Sequence, residues 1–174
     1  MAADNAYVDT SVICCHAQGS VPTAPARHAS IRSSLEAVFA SGATVAISEL
    51  TLIEYHDVLL RKVRNAAQEP MWDDEWARSS LAATMAAIRS GALTVIPAPP
   101  KAPEHALQLL EYATREQHAV GFKLWDAMHL VIATNWAYEV GENVELLTAD
   151  RDFGLFVAAV PAFNRLVRLV DLNP

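Results

Sequence analysis

Four carboxylates stand where a carboxylate is costly or conspicuous. Asp9 follows the strand-like run Ala6, Tyr7, Val8, and Asp150 comes just after the run VELLT. Glu54 shares a helical stripe with Leu50 and Val58. Asp126 is the one charge in the stripe Phe122, Asp126, Leu130, Ala133, Ala137. A carboxylate on an inward face is expensive unless it is paired or binds a metal. Each acid also has an ordinary reading. Asp caps turns and helix starts, and Glu54 suits a salt bridge at the margin of its stripe. Taken together, two acids at strand ends and two on inward helix faces describe one site. Convergent carboxylates repel until cations sit between them. Oxygen-only donors suit a hard divalent ion, magnesium first and manganese second.

The elements that must position these acids alternate between strand and helix. Ala6–Val8 predicts a first strand, with Thr10 and Ser11 able to cap the next element. Residues 19 to 26, GSVPTAPA, read as a loop. Arg27–Ser41 predicts a helix with Ile31, Leu35, Val38 and Phe39 on one face, stopped at Gly42. ATVAI is a second strand, and Ser48 opens a long helix from Glu49 to about Asn65. QEPMWDDEW is a break and a new helix start, with Pro70 and acids early, running to about Ser90. ALTVIPAPP reads as a third strand ending in prolines. Pro103–His118 and Lys123–Val140 read as helices, VELLT as a fourth strand, and Arg165–Leu172 as an edge strand. This order predicts an α/β fold with a mostly parallel sheet and helices on both faces. No internal repeat or long linker divides residues 1–174, so one domain is expected.

Composition narrows the function. The chain has 174 residues, is 52% apolar and carries a formal net charge of −7. That charge argues against a broad, sequence-blind nucleic-acid coat. It is compatible with a site that gathers acids around cations. Cys14 and Cys15 are neighbours without a second pair, and read as reduced thiols. A four-ligand zinc pattern is not visible. The N-terminal MAADNAYVDTS has no signal-peptide pattern, and apolar runs break well before the ~18 residues of a membrane span. The expectation is a cytoplasmic protein.

Four segments, in this order, resemble motifs of the PIN-domain family, the fold of the toxins of bacterial VapBC toxin–antitoxin pairs. YVDTS resembles the first, with Asp at the end of strand one and a small hydroxyl residue after it. SELTLIEYHDVL resembles the second, with a Ser at the strand–helix junction and a Glu six residues on. WDAMHLVIA resembles the third, and LLTADRDF the fourth. They span Tyr7 to Phe153. The resemblance implies a PIN-like α/β/α sandwich and makes Asp9, Glu54, Asp126 and Asp150 the catalytic, metal-binding acids. Thr10 and Thr148 become supporting hydroxyls, and Asp152 competes with Asp150 for the fourth role. The chain exceeds a compact family member, with the surplus between Asn65 and Trp76. An ordinary helix with its tryptophans against the core is the simpler reading of that segment, and a docking surface the other.

The resemblance further implies magnesium-dependent hydrolysis of RNA phosphodiester bonds by a metal-activated water. The function implied is the ribonuclease toxin of a type II pair, with an RNA substrate, a protein antitoxin and a homodimeric state. The alternatives are a stand-alone RNA-processing nuclease and a non-catalytic RNA- or protein-binding module. Arg61, Lys62, Arg64 and Lys123 are candidates for offsetting phosphate charge. His129, one turn beyond Asp126, is expected to touch substrate or to brace Asp126. Asp57 is a candidate outer acid on the side of Ile53.

Overall fold

Strand residues alternate between two faces, and here each face has its own helical cover. The computed structural model describes residues 4–17, 25–65, 73–115, 123–150, 153 and 166–172. In chain order these form β1 (Asn5–Val8), α1 (Thr10–Ala17), α2 (Pro25–Ala40), β2 (Thr44–Ser48), α3 (Glu49–Arg64) and α4 (Asp74–Arg89). They continue with β3 (Thr94–Ile96), α5 (Ala102–Arg115), α6 (Leu124–Val140), β4 (Val144–Thr148) and β5 (Val167–Asp171). Tyr7, Ala46 and Leu146 pack into a core roofed by α5 and α6, with Trp136 and Leu130 at its centre. Ala6, Val8, Val45, Ile47 and Leu147 face the opposite way, into a core shared with α1 to α4. The architecture is an α/β/α sandwich.

The strand order is β3-β2-β1-β4-β5. Every pairing is parallel, with Tyr7 opposite both Ala46 and Leu146. The expected mostly parallel sheet is therefore wholly parallel among the described residues. From β1 the chain winds outward through β2 to β3, then returns to place β4 on the other side of β1. That reversal makes the β1–β4 boundary a topological switch point, where ligands bind beyond the carboxyl ends of the strands. Asp9 and Asp150 leave the sheet there, and the Asp9 amide donates to the Leu147 carbonyl at 3.2 Å.

The helix ends reflect local chemistry. Thr10 opens a whole helix, α1, whose Val12, Ile13, Cys14 and Cys15 are all buried. Apolar residues on nearly every side leave it no amphipathic stripe. Its cap is Asp9, whose Oδ1 accepts from the Val12 amide, instead of the expected Thr10 or Ser11, whose hydroxyls turn to Glu54 and Asp9. The Ser48 cap of α3 is observed. Its Oγ accepts from the Thr51 amide at 3.1 Å, and Thr51 Oγ1 accepts from the Ser48 amide at 3.2 Å. α4 starts at an Asp73 cap whose side chain accepts from the Trp76 amide. Trp76 is half-buried against the second core, as in the simpler reading of that segment. Pro70 and Trp72 lie outside the described residues. No helix among the described residues is long and apolar enough to cross a membrane.

Gly141 ends α6 in the left-handed region, at φ 70°. A Cβ there would meet nothing within 4 Å, so a side chain would cost only backbone strain. Gly141→Ala is expected to lower stability by about 1 kcal/mol, or roughly 2–4 °C in Tm, without changing activity. Thermal unfolding followed by circular dichroism measures this. An unchanged Tm would contradict the cap.

Candidate active site

Parallel topology brings the four acids to one edge. Asp9 and Asp150 follow the carboxyl ends of β1 and β4. Glu54 lies in the second turn of α3, the helix that leaves the same end of β2. α6 descends into β4, so its N-terminal turn, with Asp126, returns to the edge where the strands finish.

Asp9 is buried and closely held. Its Oδ1 accepts from Ser11 Oγ at 2.6 Å and from the Val12 amide at 3.2 Å. Ser11 Oγ in turn accepts from the Ala149 amide at 2.9 Å, which ties the end of β1 to the end of β4. The Thr148 hydroxyl also favours the ionised form of the Asp9 carboxyl. Its Oγ1 accepts from the Asp150 amide at 3.0 Å. Thr148 thus supports both strand-end acids. Burial pushes the Asp9 carboxyl above its ordinary range, outweighing His129 and the hydrogen bonds that favour the ion.

Glu54 is partly buried, and two side chains grip the same oxygen. Thr10 Oγ1 donates to Oε2 at 2.5 Å, and His129 Nε2 lies 3.1 Å from it. Burial alone would raise the Glu54 pKa. The bonds from His129 and Thr10 outweigh it and hold the carboxyl below the usual range.

His129 is the junction of the site. It is 3% exposed, and its Nδ1 lies 2.7 Å from Tyr7 Oη. Tyr7 Oη donates onward to Ser48 Oγ at 2.9 Å. Burial opposes charging the imidazole. Tyr7, the Glu54 bond and the Asp9 charge outweigh that cost and push its pKa up to about 10. The ring is therefore an imidazolium at neutral pH, donating from Nε2 to Glu54 and from Nδ1 to Tyr7. This differs from the expected contact with Asp126: one helical turn sets a shared face, but the ring turns inward to Tyr7. Thr10 also lies 3.3 Å from Nε2. With its proton on Glu54 and a cation beside it, Thr10 is not an activated nucleophile.

Asp126 caps its own helix, its Oδ2 accepting from the Lys123 amide at 2.7 Å. Burial, reinforced by the Asp150 charge and only partly countered by Lys123 and His129, raises its pKa to about 6. Asp126 and Asp150 therefore feel each other across the edge. Asp152 lies outside the described residues.

Two other expectations change. Asp57 is no outer acid of the site: it pairs with Arg61 at 2.9 Å on an exposed surface. The reason is its neighbour Ile53, which is 62% exposed, so that side of α3 faces solvent. Arg61, Lys62 and Arg64 occupy the last turn of α3. Arg61 acts on Glu54 as a weak favourable charge. Cys14 and Cys15 are buried free thiols, and burial, with the neighbouring Cys15, pushes the Cys14 thiol up, which suits packing.

Sequence reasoning missed the parts played by Tyr7, Ser11 and Thr51. A tyrosine inside a fully buried strand was the signal to read, because its hydroxyl must find a partner.

As a metal site the donor set is chemically consistent. The carboxylates offer only oxygen, and His129, with hydrogens on both nitrogens, offers no ligand. Four acids against one imidazolium leave an excess of negative charge that suits a hard cation. Among the described residues, no three His, Cys, Asp or Glu side chains are already gathered as a metal-holding group.

No protein-family model matches the sequence, and no curated protein matches it. Solved structures do resemble it. DNA-bound VapBC from Salmonella typhimurium is 16% identical, with a TM-score of 0.58 over 97% of this chain and 98% of that one. FitAcB from Neisseria gonorrhoeae is 14% identical, with a TM-score of 0.57 over 95% and 96%. VapC20 of Mycobacterium tuberculosis, described as a Sarcin-Ricin loop cleaving toxin, is 21% identical, with a TM-score of 0.54 over 90% and 95%. The backbone has the VapC-like PIN fold.

The raised Asp126 pKa carries a stability consequence. The group is an acid, so folding disfavours its ionised form. The cost is absent below about pH 4, where the carboxyl is protonated folded and unfolded, and is complete above about pH 6. Asp126→Asn is expected to raise stability by about 1 kcal/mol at pH 7.5 in metal-free buffer, after allowance for solvent screening. The gain should vanish towards pH 4. Denaturant unfolding at both pH values tests it, and a loss of stability at pH 7.5 would argue against crowding of the acids.

Proposed function

We propose that this chain, which shares the fold of the VapC toxins, is a magnesium-dependent ribonuclease and the toxin of a type II toxin–antitoxin pair. The observation that carries the reading is the carboxylate at the β1–β4 switch point: Glu54 and Asp9 act on His129, and Asp126 lies within the influence of both His129 and Asp150. A pocket for an apolar substrate would not be built from acids. A site for phosphodiester cleavage would, provided cations mediate between the acids and the phosphate. The likeness to a toxin described as cleaving the Sarcin-Ricin loop supports RNA as substrate. The likeness to VapBC supports a protein antitoxin. A homodimer belongs to the same proposal.

Asp9, Glu54, Asp126 and Asp150 would hold the metal, with manganese able to replace magnesium. A bound divalent ion supplies Lewis acidity toward a water and toward the phosphate oxygens. The chain's own residues do the positioning. Ser11 and the Val12 amide fix one oxygen of Asp9, and Thr10 and His129 fix one oxygen of Glu54. Thr148 aligns Asp150 relative to Asp9. Arg61, Lys62, Arg64 and Lys123 are the cations offered for phosphate backbone beyond the acids. Their small number, in a chain of net charge −7, favours a chosen RNA over general RNA binding.

The expected result is cleavage of one or a few RNAs from a structured panel in magnesium, abolished by EDTA and lowered at least 100-fold in Asp9→Asn. Gel analysis of end-labelled RNAs reads both effects. Undiminished cleavage by Asp9→Asn would remove the proposed site.

A further inference from the structure

Buried histidines are commonly satisfied core residues, and His129 needs a reason to be more. Its two ring nitrogens face different parts of the site. Nε2 meets Glu54 Oε2 and Thr10 Oγ1, at the edge that carries the acids. Nδ1 meets Tyr7 Oη, deep in the sheet. Tyr7 lies two residues before Asp9 on β1 and is wholly buried. Its hydroxyl contacts Ser48 Oγ at 2.9 Å and Thr51 Oγ1 at 3.4 Å, the two residues of the α3 cap. That cap sets where α3 begins, and Glu54 is in the next turn. Glu54 is thus fixed twice, directly through the His129 ring and indirectly through the start of its own helix. Both routes pass through the Tyr7 hydroxyl, and His129 also sits one turn beyond Asp126. The rings of Tyr7 and His129 are 5.8 Å apart and tilted, so the hydroxyl bond, not stacking, sets the orientation of the imidazole.

We propose that Tyr7 and His129 form a positioning pair that aims the Glu54 carboxylate, so that β1, α3 and α6 present their acids as one metal-holding set. The proposal rests on the nuclease reading and extends it to residues outside the four acids. Neither residue touches the reacting atoms. Each acts through Glu54, as partners behind metal ligands do.

Tyr7→Phe keeps the ring and removes the bond that orients His129. His129→Gln keeps a donor for Glu54, whereas His129→Leu keeps only bulk. Manganese alone is the probe, titrated calorimetrically into the full-length protein, with circular dichroism to verify folding. Tyr7→Phe and His129→Leu are expected to weaken manganese binding by about tenfold or more. They should lower kcat for RNA cleavage with KM changed less than twofold. His129→Gln should restore most of both. Ring-nitrogen NMR gives a separate signature: Glu54→Gln should move the His129 Nε2 resonance and Tyr7→Phe the Nδ1 resonance.

Wild-type manganese affinity and kcat in folded Tyr7→Phe would overturn the positioning pair while leaving the nuclease reading intact. So would two unmoved ring resonances. If His129→Leu loses folding, Tyr7→Phe and the ring resonances decide. A wild-type protein that neither binds manganese nor cleaves RNA would overturn the nuclease reading, and the positioning pair with it.

Discussion

A charged imidazole beneath a group of carboxylates organises this structure. Placing the His129 cation in the protein interior has a large desolvation cost, and an unpaired buried ion would not persist there. It is stable because Glu54 and Asp9 supply opposite charge and Tyr7 supplies an acceptor. The converse holds as well. Without the imidazolium, buried Asp9 and partly buried Glu54 would each lose a charge that favours their ionised form. The same contact therefore stabilises the acids and fixes where they point. It reaches into β1 through Tyr7, into α3 through Ser48 and Glu54, and arises from α6. Each of the three elements contributes an acid, and the buried hydrogen bonds hold them in register.

Periodicity made most of this fold legible. Tyr7 and Ala6 take opposite faces because strands alternate, and the sequence of apolar runs and helical stripes yields the layers directly. Glu54 and Asp126 stood out because they interrupt stripes, and both reach the acidic edge. Strand order was less accessible. Nothing local in VELLT says that it pairs with β1 rather than β3. That depends on chain reversal and the handedness of crossovers, which are properties of the whole sheet. Segments apolar all round, such as α1, gave no stripe to read.

Side-chain partners were the least accessible part. His129 and Asp126 share a helix face, yet the ring bonds to Tyr7, 122 residues away in sequence. A helical wheel gives direction, whereas the partner depends on which strand lies behind the face. Asp57 failed for a related reason. Its alignment with Ile53 suggested an inward side, but Ile53 is itself largely exposed, so an apolar residue was a poor guide to burial there. Ser11 shows the gain from structure in the other direction. Read as one of two caps, it bridges Asp9 to the Ala149 amide and so joins the first and last motifs.

Capping and metal binding are often set against each other as explanations of an acid at a helix start. Here each cap engages one oxygen of its acid. One oxygen of Asp9 receives the Val12 amide of α1, and one oxygen of Asp126 receives the Lys123 amide before α6. These bonds, together with the positive ends of α1, α3 and α6 at the same edge, ease the crowding of negative charge. Capping accounts for the positions of Asp9 and Asp126 without a cation. It does not account for Glu54, which lies in the second turn, past the reach of the Ser48 cap, and needs a histidine and a threonine to hold a single oxygen. Nor does it explain why Asp150 sits near enough to Asp126 to raise its pKa. Asp9 and Asp126, which burial holds above the ordinary carboxylate range in spite of their caps, are where the fold gives up stability for charge. That is the expected mark of a binding site rather than a scaffold.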